Sequence, residues 1–118
     1  MKDVKDWMER ARKDLRAAEN SYNAGDYDWS CFQAQQAVEK ALKALNIIKY
    51  KKLLRAHDLV LLARRVNAPK EIIVLCSKIN PSYIDTRYPD LSRIYEKKDA
   101  KYILELSKKV LKWTEKSS

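Results

Sequence analysis

The sequence predicts an all-α protein: an up-and-down bundle of about five helices, led by an antiparallel hairpin of two long ones. Three observations carry this expectation. One glycine and three prolines among 118 residues leave little material for the turns of a sheet. Apolar side chains return every three or four positions in one segment after another. The stretch 28–46, DWSCFQAQQAVEKALKALN, lacks glycine and proline and is rich in alanine, so a central helix is expected there.

Helix one is expected from Asp3 to Ala24, with Val4, Trp7, Met8, Ala11, Leu15, Ala18 and Tyr22 on its inner face. Arg10, Lys13 and Arg16 alternate with Asp6, Glu9 and Asp14 on the opposite, solvated face. Gly25 directly follows the last periodic residue and suits the left-handed backbone that ends a helix. Asp26 or Asp28 is expected to cap helix two, whose apolar stripe is Phe32, Ala34, Ala37, Val38, Ala41, Leu42 and Leu45. The short turn makes the pair an antiparallel hairpin.

Beyond Asn46 the pattern weakens. Lys40, Lys43, Lys49, Lys51, Lys52 and Arg55 precede His57 with no acidic residue between Lys40 and His57. This densest positive segment is either a phosphate-binding surface or a solvated linker. Asp58 is expected to cap a third helix from Leu59 to about Val66, which Asn67–Pro69 breaks. A fourth helix follows Pro69 with Ile72, Ile73, Leu75, Cys76 and Ile79 inward, and Asn80-Pro81 stops it. PSYIDTRYPD, 81–90, reads as a connector, and Asp90 or Ser92 as the cap of a last helix over Tyr95 to Glu115.

Composition bounds the function. With 46 % apolar and 35 % charged residues the chain, 1–118, is expected to form one globular domain. No run approaches the roughly 18 apolar residues of a membrane span, and charges begin at Lys2, so no membrane association and a cytoplasmic location are expected. Cys31 and Cys76 lack ligand or redox spacing and read as buried thiols. One histidine and two distant cysteines make no metal cluster, and one glycine makes no phosphate loop. No metal and no cofactor are therefore expected. A net charge of +9 favours anionic partners.

The chemical candidates are few. His57 is either a structural cap residue or an acid–base group, its ordinary pKa lying near neutrality. Arg87 lies in YIDTRYPD beside Tyr83, Asp85 and Tyr88, where a guanidinium fork suits phosphate and a tyrosine suits stacking on a base. Gln36, Glu39, Lys40 and Lys43 fall within two turns of helix two, as an interface or buried polar network or as part of a ligand site.

RKDLRAAENSYNAGDYDWSCFQAQQAVEKALKALN, 12–46, resembles the opening hairpin of HEPN domains. It carries an acidic residue in helix one (Asp14), a glycine-aromatic turn (Gly25, Tyr27) and the Gln-Gln-Ala-Val-Glu-Lys-Ala-x-Lys-Ala core, Gln35 to Ala44. His57 to Leu59 resembles the His-Asp-Leu start of the next helix, and Tyr83 to Asp90 the Arg-Tyr-Pro connector before the last. The resemblance implies a five-helix homodimer, in prokaryotes often encoded beside a minimal nucleotidyltransferase. It also implies either nucleotide binding or metal-independent RNase activity in toxin-antitoxin systems. The RNase branch places an arginine before its histidine with four to six residues between. Here those positions hold Lys52, Lys51 and Tyr50; Arg55 is too near, and no histidine follows Arg87.

Three functions are thereby expected. The first is a nucleotide- or nucleic-acid-binding module whose groove is lined by Lys40, Lys43, Lys52, Arg55, His57, Tyr83 and Arg87. The second is an endoribonuclease toxin with His57 as acid or base and Arg87 or Lys52 on the phosphate. The third is a non-catalytic dimerising scaffold. Ligand binding requires His57 and Arg87 to line one concave, exposed positive cleft of the dimer, whereas the scaffold reading buries both in hydrogen bonds to their own subunit.

Overall fold

The computed structural model describes residues 2–85 and 95–118, the side chains of 2, 3 and 85 excepted. Helices follow in the order α1 (Lys2–Asn23), α2 (Tyr27–Tyr50), α3 (Leu59–Arg65), α4 (Lys70–Ile79), a single turn α5 (Ser82–Asp85) and α6 (Lys97–Ser117). No strand occurs among the described residues, as the glycine-poor, helically periodic sequence predicts.

Gly25 ends α1 at φ +86°, with its N–H donating to Tyr22 and the Asp26 N–H to Ser21, the paired bonds of a left-handed helix stop. The chain then reverses. Ser30 donates to the Ala18 carbonyl, Ser21 meets Gln33 and Lys40 pairs with Asp14, so positions rise along α2 as they fall along α1. That is the expected hairpin. Ala11 and Ala18 of α1 and Ala34, Ala37, Ala41 and Ala44 of α2 are all fully buried, and small side chains at a seam let helix axes approach closely. Salt bridges Arg12–Glu115 and Glu19–Lys108 run α6 antiparallel to α1, and therefore alongside α2 in the same direction. The short α3 and α4 carry the chain back between them.

The second helix is the centre of the molecule. From Ser30 to Ile47 it is buried almost all round, which is why its sequence is alanine-rich and only weakly amphipathic. It also runs further than expected, through Ile47, Ile48, Lys49 and Tyr50, before Lys51 turns left-handed at φ 60°. Asn46 does not stop it: its amide donates to the Leu42 and Leu62 carbonyls and ties α2 to α3. Lys49 and Tyr50 then both donate to the Arg65 carbonyl, satisfying the carboxyl end of α3.

Other local expectations are corrected in detail. Asp26 occupies the cap position of α2 but makes no side-chain cap bond. Asp90 and Ser92 lie outside the described residues; α6 starts later than Tyr95, at Lys97, where the Asp99 carboxylate accepts from the Glu96 N–H at 2.9 Å. Tyr95 is buried ahead of the helix. Part of the connector is helical, Ser82–Asp85, and its residues 86–90 lie outside the described residues. Cys31 and Cys76 are buried thiols, and burial pushes Cys76 up to about 12. No helix among the described residues is long and apolar enough to cross a membrane.

Candidate functional site

Positions 32, 33, 36 and 40 are the only ones between 30 and 47 of α2 that are not buried, and their spacing marks a single strip along the helix. On one side of the strip stands α1, through Asp14 and Lys40. On the other stand His57 and Tyr83. Phe32, expected within the apolar stripe, lies here instead, its ring 6.3 Å from that of Tyr83.

His57 and Tyr83 are brought to this wall by a small clasp. Asp58 caps α3 as expected, its Oδ1 accepting from the Val60 N–H at 3.0 Å and the Leu61 N–H at 3.4 Å. The same oxygen accepts from the Asn80 amide at 2.9 Å, while Asn80 Oδ1 accepts from the Leu59 N–H at 2.9 Å. The start of α3 is thus pinned to the end of α4. The Asn80 amide also holds the Asp58 carboxyl below its ordinary value. His57 precedes the clasp by one residue and Tyr83 follows it by three, and their rings stack at 4.6 Å with 17° between planes.

Below the stack, Glu39 is the hub. Its carboxylate is within 3.1 and 3.2 Å of His57 Nδ1, and it accepts from Lys43 Nζ at 2.9 Å and, more weakly, from Gln35 Nε2 at 3.4 Å. Gln36 donates to Gln35 Oε1 at 2.7 Å, extending the chain of polar groups to the strip. Glu39 is only 3 % exposed, and an ionised carboxylate there is tolerated because each oxygen has a partner. Lys43 is 7 % exposed and also lies 5.6 Å from the centre of the Trp7 ring. By contrast, 59 % of the His57 side chain is in solvent. With Nδ1 turned to Glu39, Nε2 has no hydrogen-bond partner among the described residues. A carboxylate on Nδ1 favours the tautomer with the proton there and leaves Nε2 a lone pair at the surface.

The residues singled out from sequence therefore separate into groups. His57, Glu39, Gln36 and Tyr83 form one cluster, and Lys43 belongs to its buried side with its charge balanced by Glu39. Lys40 faces the strip but is engaged by Asp14. Lys52 and Arg55 are exposed on the connector between α2 and α3. Arg87 lies outside the described residues; of the pair expected to share a cleft, His57 is exposed and is also bonded to Glu39 of its own subunit. The pairing of Glu39 with His57 was not legible in sequence, because the two stand 18 residues apart on different elements. Trp29, Phe32 and Trp7 were missed as neighbours of the site. For Trp29 and Phe32 the spacing 29, 32, 36, 40, 43 was the available signal, a helical strip mixing aromatic and polar residues.

A depression of about 890 Å³ lies not over His57 but along α1, bordered by Trp7, Arg10, Lys13, Arg16 and Lys40 together with Asp6 and Glu9. It is open and of mixed charge. The Glu39–His57 cluster holds the groups with reactive chemistry, and Trp7 joins the two regions through Lys43.

Comparison with known proteins agrees with this architecture. The HEPN domain model matches residues 4–117. TT1696 from Thermus thermophilus superposes with a TM-score of 0.92 over 100 % of both chains at 34 % identity. ST0689, described as an archaeal HEPN homologue, gives 0.85 at 29 % identity over 99 % of this chain and 98 % of its own. A HEPN domain protein of Thermotoga maritima, tm0613, shares the fold at 0.73 and 22 % identity over 94 % and 95 % of the two chains. No curated protein matches. With the match running nearly end to end and a relative at 34 % identity over the whole chain, this protein belongs to the HEPN domain family.

Proposed function

We propose that this chain, as a single helical domain, is a nucleotide- or nucleic-acid-binding module that works as a homodimer. The observation that carries the reading is His57, a solvent-facing imidazole held at Nδ1 by a buried carboxylate and stacked on Tyr83. A purely structural histidine has no need of an exposed ring edge. A ring pair at the surface suits a base, and the connector cations Lys52 and Arg55, with Arg87, suit its phosphates. Lys43 is better read as the counter-charge of Glu39 than as a phosphate ligand. The family resemblance supports a minimal nucleotidyltransferase as the protein partner in a toxin-antitoxin-like pair.

Titration of the purified protein with AMP and ATP, followed by the His57 ring proton signals, tests the binding reading. Shifts that saturate and are lost in Tyr83→Ala are expected; unchanged signals throughout would remove the nucleotide-binding reading. Light scattering tests the dimer, and co-purification with a minimal nucleotidyltransferase, where one is encoded beside this chain, tests the partner.

The Glu39–His57 pair favours a second reading, the metal-independent endoribonuclease. Nε2 takes the proton of an RNA 2′-hydroxyl, whose oxygen attacks the adjacent phosphorus. As the bond from phosphorus to the 5′-oxygen breaks, that oxygen takes up a proton from the imidazolium just formed or from water, leaving a 2′,3′-cyclic phosphate, and Arg87 or Lys52 steadies the phosphoryl charge. Cleavage of RNA in EDTA by the native protein but not by His57→Ala is the expected result; equal cleavage by both sinks this reading.

A further inference from the structure

The outer face of α6 is mostly lysine. Positions 98, 101, 102, 105, 108, 109, 112 and 116 are exposed and fall within roughly a third of the helix circumference, while Ile103, Leu104, Ser107, Val110 and Leu111 are buried. All of the exposed set are lysines except Tyr102 and Glu105. Lys108 pairs with Glu19 of α1 at 3.1 Å, and Lys98 lies 3.9 Å from Glu96. Lys101, Lys109, Lys112 and Lys116 make no ion pair among the described residues. Helix energetics do not favour this arrangement. The dipole welcomes cations at the carboxyl end, yet Lys98 stands in the first turn. Lys108–Lys112 and Lys112–Lys116 are like charges one turn apart, which weaken a helix. The outer face of α1 differs: it answers Arg10, Lys13 and Arg16 with Asp6 and Glu9, so a solvated face of this molecule need not carry one sign.

We propose that the α6 stripe docks an acidic helix of a protein partner, laid along it and carrying one basic residue opposite Glu105. Three features select a protein over a nucleic-acid backbone. Glu105 stands on the midline of the stripe, where it repels a phosphodiester chain but complements a partner's cation. The cations are all lysines, which lack the planar fork that suits phosphate. Tyr102, 46 % exposed and one turn from Glu105, is of the type enriched at protein interfaces. From Lys98 to Lys116 the stripe runs about 27 Å, the length of a partner helix of about five turns. Glu39, His57 and Tyr83 lie on other elements, so the docking surface goes beyond the nucleotide-binding reading and stands without it.

The test is fluorescence anisotropy with two labelled probes at about 0.15 M salt. One is a synthetic helical peptide of the length of α6, with glutamates along one face and a single lysine at its middle; the other is a short DNA duplex. Native protein is compared with Glu105→Gln and with two triple variants that remove equal charge. The first combines Lys101→Gln, Lys109→Gln and Lys112→Gln on α6; the second combines Arg10→Gln, Lys13→Gln and Arg16→Gln on α1. Circular dichroism shows that all are folded. The α6 triple variant is expected to lose at least about tenfold in peptide affinity and the α1 triple variant no more than about twofold. Glu105→Gln should weaken the peptide about threefold and strengthen the duplex. Equal peptide loss in the two triple variants overturns the proposal, because net charge alone then explains it. A duplex held more tightly than the peptide, and released by the α6 substitutions, overturns it in favour of a nucleic-acid track. Native protein that leaves the peptide unbound overturns it as well. The AMP titration is read separately, so each of these failures is distinct from failure of the nucleotide reading.

Discussion

The Glu39–Lys43 and Arg12–Glu115 pairs join a carboxylate to a cation at nearly the same separation, 2.9 and 3.1 Å, in opposite surroundings. The side chains of the first are 4 % and 9 % exposed; those of the second are 46 % and 43 % exposed. Distance alone therefore says little about what each contributes. In water the attraction is screened and offset by the entropy of holding two long side chains. Within α2 both charges have lost their hydration, and each now depends on the other and on Gln35, His57 and Trp7. The surface pair helps seat α6 on α1. The buried pair holds the imidazole of His57, which is why a polar group is tolerated on a helix otherwise packed with alanine and leucine.

Breaking the buried pair from one side gives the largest expected effect. Lys43→Ala leaves the Glu39 carboxylate buried without its cation and should lower stability by about 3–5 kcal/mol in urea unfolding. The comparison is sharpened by removing both charges. Glu39→Leu combined with Lys43→Met should recover most of that loss, because no unpaired charge remains. The same double variant releases His57 Nδ1, so its response to AMP should weaken even though the fold is restored. If the double variant is as unstable as Lys43→Ala, the buried pair contributes through shape and not through charge.

A smaller effect is expected at the clasp. Asp58→Ala removes the α3 cap and should cost about 1 kcal/mol at neutral pH. The sign of its pH dependence follows from the depressed carboxyl: its contribution is present above the ordinary value of 3.8 and lost as pH falls through the lower folded-state value. The difference between native protein and Asp58→Ala should therefore shrink in strong acid, as unfolding at a series of acidic pH values would reveal. The smallest effect belongs to the surface pair. Arg12→Ala should change stability by less than about 1 kcal/mol, and less again in high salt. A larger loss would show that α6 depends on that contact more than its exposure implies.

The sequence alone was informative wherever the determining interactions are local. Helical periodicity, the Gly25 stop and the Asp58 cap are set within a few residues, and the helices, the hairpin and the start of α3 were legible from them. The end of α2 was not, because the residues that carry it beyond Asn46 are satisfied from α3: Lys49 and Tyr50 by the Arg65 carbonyl and Asn46 by that of Leu62. His57, Glu39 and Tyr83 could each be singled out by type, yet their association depends on the Asp58–Asn80 clasp, which joins residues 22 apart. What the chain determined by itself was an all-helical protein with α2 at its centre. Only the tertiary structure decided that one strip of that helix stays open, with a buried carboxylate beneath an exposed histidine, because desolvation and charge pairing depend on neighbours that sequence spacing does not bring together.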